Sequence, residues 1–262
     1  FPGRCPGNLP MTSILDLPAI SGRYLFPQNR TLKRPSVIHV DNIELACYKR
    51  IVDEHGLTLV HFHGNGESVS DYVPFLADIF QDMGLNQLFI EYRDYGGSSG
   101  KAQLVAMLAD GQAALQAAGI APEKAVVFGR SIGSLYAIEL ACREPTIAGL
   151  IIESGIADPC ERFLNFADLR SAGLSESDVR AEAAKYFDHE SKLSSYSNPL
   201  LILHAQNDGL IDISHAQRNY QWSGSKQKQL VKFPHGNHNT IFQANMNQYL
   251  TAVKEFIHGL DR

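Results

Sequence analysis

Short apolar runs separated by longer stretches of mixed polarity recur along this 262-residue chain. "LTLVHFH", "NQLFIEY", "KAVVFG", "AGLIIES" and "PLLILHA" lack the alternation of a strand with one wet face, so each reads as a strand buried on both sides. "KQLVKFP" is a weaker, more amphipathic run. Between them, Tyr72–Met83, Gln103–Ala118, Ile132–Arg143, Ile213–Trp222 and Thr240–His258 carry apolar residues at three- and four-residue spacing, the pattern of a helix with one buried face. Strands alternating with helices predict an α/β fold: a mainly parallel central sheet with helices on both faces.

Ahead of this rhythm, "PSVIHVDNIELACYKRI" alternates around Asp41-Asn42 and predicts an N-terminal antiparallel hairpin. Residues 1–22 are rich in proline and glycine and read as an irregular N-terminal arm. With no internal repeat and no low-complexity linker, 1–262 reads as a single domain. One spacing is out of step. The runs at Ile151 and Leu201 are roughly fifty residues apart, far beyond a short crossover. The mixed-polarity, helix-like segment 157–190 is therefore a candidate helical cap over one end of the sheet, two plain crossover helices being the simpler alternative.

Composition excludes several classes. Hydrophobic residues make up 44% and charged residues 19%, and the net charge is −5 without a basic run. Neither a nucleic-acid partner nor an anionic membrane surface is indicated. No apolar stretch approaches the ~18–20 residues of a membrane span, so no transmembrane segment is expected. The opening "FPGRCPGNLPMTSI" lacks the charged head and apolar run of a secretory signal. Cys5, Cys47, Cys142 and Cys160 are scattered, with no CxxC pair to suggest zinc or redox chemistry. Cys47 and Cys142 read as apolar packing residues. Together these features lean towards a reducing, cytoplasmic setting.

The stretch "KAVVFGRSIGSLYAIELA" joins a buried strand to a helix through Gly129-Arg130-Ser131-Ile132-Gly133, a G-x-S-x-G pattern in a strand–turn–helix context. A serine becomes a useful nucleophile when its hydroxyl stands clear of the backbone beside a base. A tight turn does that, and crowding within it favours glycine on both sides. The following helix points its first N–H groups at the site, which suits a developing oxyanion. Earlier, "LTLVHFHGNGES" ends a strand with two glycines around Asn65. The backbone N–H groups of Asn65 and Ile132 are the expected oxyanion hole. His61 and His63 flank that turn and are expected to support it by hydrogen bonding, since no third metal ligand stands near them. Arg93, in "EYRDYGGSSG", either pins its loop or is a surface charge.

After "NPLLILHA" comes a polar turn with Asp208 and Asp212. Asp208, directly at the strand's end, is placed to orient a histidine. Asp212 precedes the helix opening at Ile213 and reads as its N-cap. Glu153 is a distant third carboxylate. The base should follow the last strand, where "FPHGNHNTIF" offers His235 and His238.

The chain order Ser–Asp–His is that of the α/β-hydrolases. From Val37 to the final helix the chain resembles that family, above all the soluble branch with the mammalian depalmitoylating hydrolases and bacterial esterase-like members. The stretches that carry the resemblance are "HFHGNGES", "EYRDYGGSSG", "VFGRSIGS", "YFDHESKLSSYSNPLLILHAQND" and "HGNHN". The family's Gly-x-His motif falls on Gly236-Asn237-His238, so the resemblance implies Ser131, Asp208 and His238 as the catalytic residues. The chain departs from the family where it has Glu91-Tyr92-Arg93-Asp94-Tyr95-Gly96 for D-Y-R-G-Y-G, and Ala205 where glycine is usual. The expectation is a serine hydrolase of carboxylic esters or thioesters acting on a small-molecule acyl substrate, with no cofactor and no metal. An amidase or peptidase with the same residues, or a non-catalytic binding module on this fold, are the alternatives.

Overall fold

A computed structural model describes residues 13–161, 169 and 172–260. Eight strands form one sheet: β1 (Ser36–Val40), β2 (Ile43–Arg50), β3 (Thr58–Phe62), β4 (Asn86–Ile90), β5 (Ala125–Arg130), β6 (Gly149–Glu153), β7 (Leu200–Ala205) and β8 (Lys228–Phe233). Their spatial order is β1-β2-β4-β3-β5-β6-β7-β8. The β1–β2 hairpin turns through Asp41, at φ +52°, and β2 joins β4 antiparallel. Every pairing from β4 onward is parallel. This is the expected mixed sheet with its antiparallel start.

The strands are continuously apolar because the sheet has a core on each face. Val60, Leu88, Val127, Leu150 and Ile202 enter one core; their neighbours Leu59, Phe89, Val126, Ile151 and Leu203 enter the other. The period of two is present in the side-chain directions, although the residues on both faces are mainly apolar. The edge strand β8 is only partly buried, which accounts for its weaker, amphipathic sequence.

The helices labelled below are α1 (Ser21–Tyr24), α2 (Val69–Tyr72), α3 (Leu76–Asp82), α4 (Asp110–Ala117), α5 (Gly133–Arg143), α6 (Glu176–Tyr186), α7 (His189–Ser195), α8 (Ile213–Trp222), α9 (Ile241–Ala244) and α10 (Met246–Leu260). Helix α8 spans the expected residues. The segment 72–83 is interrupted where Pro74, lacking an N–H, separates α2 from α3. The segment 240–258 is interrupted at Asn245, whose side-chain amide donates to the His235 and Ile241 carbonyls.

Residues 1–12 of the arm and 162–168, 170 and 171 of the candidate cap lie outside the described residues. From the rest of 157–190, Val179, Ala183, Tyr186 and Phe187 pack into the first core. Cys47 is buried and free, as expected for a packing residue. Cys142 is disulfide-bonded instead. That corrects its reading as a packing thiol. No described helix is long and apolar enough to cross a membrane.

The register fixes where chemistry can occur. Phe62 pairs with Gly129, Arg130 with Glu153, Glu153 with Leu203, and Ala205 with Phe233. The C-terminal ends of β3, β5, β6, β7 and β8 therefore stand side by side. The loops that follow them carry Asn65, Ser131, Ile156, Asp208 and His238.

Candidate active site

Ser131 sits at φ +53°, in the left-handed region that a non-glycine residue adopts only at a cost. The surrounding packing leaves it little choice. A Cβ on Gly129 would lie 2.6 Å from the Gly133 carbonyl oxygen, and one on Gly133 would overlap the Phe62 carbonyl. Both glycines are thus required for strand β5 and helix α5 to approach this closely. The Ser131 N–H donates to the Glu153 carbonyl at 2.8 Å, and the Ser134 hydroxyl donates to the Ser131 carbonyl at 2.6 Å. The turn is held by backbone on one side and by Ser134 on the other.

The structure brings Ser131, His238 and Asp208 into one line. His238 Nε2 lies 2.9 Å from Ser131 Oγ, and Nδ1 lies 2.8 Å from Asp208 Oδ2. An ionised carboxylate only accepts, so Nδ1 carries the proton and Nε2 is free to accept the serine hydroxyl. All three residues are buried to 7% exposure or less. Asp208 Oδ1 accepts the N–H groups of Leu210 and Ile211 at 2.9 and 2.8 Å. Burial alone would raise this carboxyl, but His238 and those two N–H groups hold it below its ordinary value. His204 also faces Asp208, at 3.6 Å. Burial pushes its imidazole below the usual value, and its Nε2–H donates to the Ile211 carbonyl at 2.8 Å.

The other candidates separate cleanly. Asp212 caps α8, accepting the Ser214 N–H at 2.9 Å. His235 is exposed on the turn after β8. Glu153 faces Arg130 and the Tyr249 hydroxyl instead of the imidazole. Arg93 pins its loop through two hydrogen bonds to Asp110, at 2.6 and 2.7 Å. His61 is enclosed by the rings of Tyr72, Phe89 and Phe128. Among the described residues no group of histidine, cysteine and carboxylate side chains is arranged to hold a metal.

A cavity of about 260 Å³ opens over Ser131, bordered by Asn65 and Ile132 as well as His238. Among the described residues neither the Asn65 nor the Ile132 N–H has an acceptor in the protein. The apolar walls are Tyr24, Phe26, Ile132, Ile156, Leu210 and Ile211. Tyr24 and Phe26 belong to the stretch after the N-terminal arm, and no sequence pattern singles them out. They reach the cavity because the Asn65 side chain bridges to their backbone. Its Nδ2 donates to the Tyr24 carbonyl at 2.5 Å, and its Oδ1 accepts the Phe26 N–H at 2.9 Å. Arg130 and Glu67 border the cavity too and were not legible as site residues, since their partners come from loops distant in sequence.

No family model matches the chain. It is 28% identical over 218 residues to alpha/beta hydrolase domain-containing protein 17C of Mus musculus, a match covering 81% of this chain and 63% of that protein. The chain thus spans less than two thirds of the length of that relative. In fold it is similar to Est1E of Butyrivibrio proteoclasticus, solved with ferulic acid bound. That comparison has a TM-score of 0.71 at 20% identity and covers 86% of this chain and 98% of the other. The esterase Pf2001 of Pyrococcus furiosus is similar at TM-score 0.69 and 18% identity, covering 89% and 98%. Strand order and these likenesses show that the chain has the α/β-hydrolase fold.

Proposed function

We propose that the protein is a serine hydrolase that cleaves a carboxylic ester or thioester through an acyl-enzyme on Ser131. The observation that carries this reading is the His238 ring, with Ser131 Oγ at 2.9 Å from one nitrogen and Asp208 at 2.8 Å from the other. In the first half-reaction Nε2 takes the hydroxyl proton as Oγ attacks the carbonyl carbon. The negative charge that develops on the carbonyl oxygen is met by the N–H groups of Asn65 and Ile132. His238 then returns its proton to the departing oxygen or sulfur, and the bond to the leaving group breaks. Water, deprotonated by the same nitrogen, attacks the acyl carbon; the bond to Oγ breaks, His238 returns the proton to Oγ, and the acid is released. Asp208 stays ionised throughout and stabilises the imidazolium.

The cavity supports small acyl groups. At about 260 Å³ it is below the ~300–1,000 Å³ of sites for drug-sized ligands. Its walls are mainly apolar. Glu67, the carboxylate that borders it, is already engaged by the Gly64 N–H, the Tyr72 hydroxyl and Arg130, so it is not a free partner for the amine of a peptide. The segment 157–190 is proposed as a cap.

A fluorophosphonate probe tests the nucleophile directly. Ser131 is expected to be labelled in the wild type, and Ser131→Ala to lose labelling together with about 10³-fold or more of esterase activity. A panel of p-nitrophenyl esters of rising chain length, with a thioester and an arylamide, tests the substrate class. Preference for short esters is expected. Labelling elsewhere, or an arylamide turned over faster than every ester, would overturn the reading.

A further inference from the structure

We infer that Arg130 is a positioning residue: its guanidinium holds the His238 loop and the Asn65 loop in register with the nucleophile beside it. The inference rests on the serine-hydrolase reading above. Arg130 is the last residue of β5 and precedes Ser131, so its side chain leaves the sheet where three loops converge. It is 9% exposed. Its Nη2 donates to the carbonyl of His238 at 3.2 Å and to Asn239 Oδ1 at 3.3 Å. The same nitrogen lies 3.1 Å from Glu67 Oε1, and Nε lies 3.4 Å from Glu153 Oε1.

The two carboxylates extend the reach of the guanidinium. Glu67 Oε2 accepts the Gly64 N–H at 2.6 Å and the Tyr72 hydroxyl, which ties Arg130 to the peptide preceding Asn65. Glu153 accepts the Ser131 N–H through its own carbonyl at 2.8 Å and the Tyr249 hydroxyl through its carboxylate. Two separations govern attack by a serine: Oγ to the imidazole, and Oγ to the donors of the oxyanion hole. Both are spanned by this one side chain, directly to the His238 backbone and through Glu67 to the Asn65 loop.

A stabilising role alone accounts poorly for it. Arg130 and Glu153 are buried and Glu67 partly so, and apolar side chains of similar volume are often equally or more stable in such places. The gain from a charged network is instead geometric. A planar guanidinium with donors fixed in a fork meets several acceptors in one arrangement, whereas a lysine ammonium would meet them with freedom to shift.

Steady-state kinetics of Arg130→Gln, Arg130→Lys, Glu67→Gln and the Arg130→Gln/Glu67→Gln double variant test this, with circular dichroism and thermal unfolding to establish folding. With the wild type labelled at Ser131, Arg130→Gln is expected to lower kcat by about 10- to 100-fold, the scale of a misplaced reacting group. KM should change by less than about threefold. Arg130→Lys should recover part of the loss. The double variant should lose little more than the worse single one, because both break one linkage. If Arg130→Gln does not fold, Glu67→Gln and Asn239→Ala, which keep the guanidinium, carry the same kinetic test. A folded Arg130→Gln with kcat within about threefold of the wild type, a loss confined to KM, or losses that multiply in the double variant would each overturn the inference. A wild type that is not labelled at Ser131 would instead overturn the hydrolase reading, and the inference falls with it.

Discussion

Two buried histidine–carboxylate pairs stand at neighbouring strand ends: His63 with Glu91 at 2.7 Å, and His238 with Asp208 at 2.8 Å. By distance and burial they are nearly the same object. The second ring nitrogen separates them. In His63, Nδ1–H donates to the Gly64 carbonyl at 2.8 Å while Nε2–H donates to Glu91. Both nitrogens face acceptors, so the imidazolium suits the site. Burial lowers the His63 pKa, but the hydrogen bond and charge of Glu91 and the Gly64 carbonyl outweigh it and raise the pKa above the ordinary value. In His238 the second nitrogen faces a hydroxyl, which can donate to it. A ring with both nitrogens facing acceptors braces a loop; a ring between an acceptor and a donor can act as a base. Two closely similar pairs are thus suited to different roles by one further neighbour.

The contrast makes Asp208 and Glu91 separable by experiment. Asp208→Asn should leave the fold intact and cut kcat by about 10⁴-fold, because an amide can hold the ring in the wrong tautomer. Esterase rates beside thermal unfolding check this, and a loss below about tenfold would mean that Asp208 does not orient the base. Glu91→Ala should act the other way. It should cost about 3–5 kcal/mol of stability by stranding a buried partner, read from urea unfolding, and whatever folded protein remains should still be labelled at Ser131.

The pH dependence follows from the direction of the His63 shift. Its folded-state pKa lies above the ordinary unfolded value near 6.5, so the pair's contribution is complete below that value and fades as pH rises through the folded-state value. Asp208, held low, contributes above its unfolded value near 3.9 and loses that contribution as pH falls through its folded-state value. Replacing His63 with glutamine should therefore flatten the alkaline decline in stability and leave the acid side unchanged. The smallest effect belongs to the exposed His235, where alanine should change stability by less than about 0.5 kcal/mol and leave esterase activity nearly intact.

The three residues that the structure brings into one line were legible in sequence because each answers a local demand. Ser131 needs two glycines to make its turn, Asp208 stands at a strand's end, and the chain order narrows the base to two histidines. The family's Gly-x-His motif then selects His238. The sheet was legible for a similar reason, since a strand between two cores must be apolar throughout. The remainder depends on contacts between distant segments. Arg130 sits in an unconstrained position of G-x-S-x-G, and its link to His238 spans 108 residues. Phe26 is 39 residues from the Asn65 amide that seats it. Helix interruptions at Pro74 and Asn245 disappear within an apolar spacing that continues across them. The Cys142 disulfide was missed because spacing alone does not show which cysteines meet.

The bridge between Asn65 and the Tyr24–Phe26 backbone has a consequence for how the chain handles its ligand. Asn65, which borders the cavity, also holds by its side chain the stretch that walls it. Occupancy and the order of that stretch are then linked quantities. A molecule seated against Phe26 favours the conformation in which the stretch is fastened. The peptide bonds around Pro27 are therefore expected to become harder for a protease to reach when the cavity is filled, which limited proteolysis with and without a seated inhibitor checks.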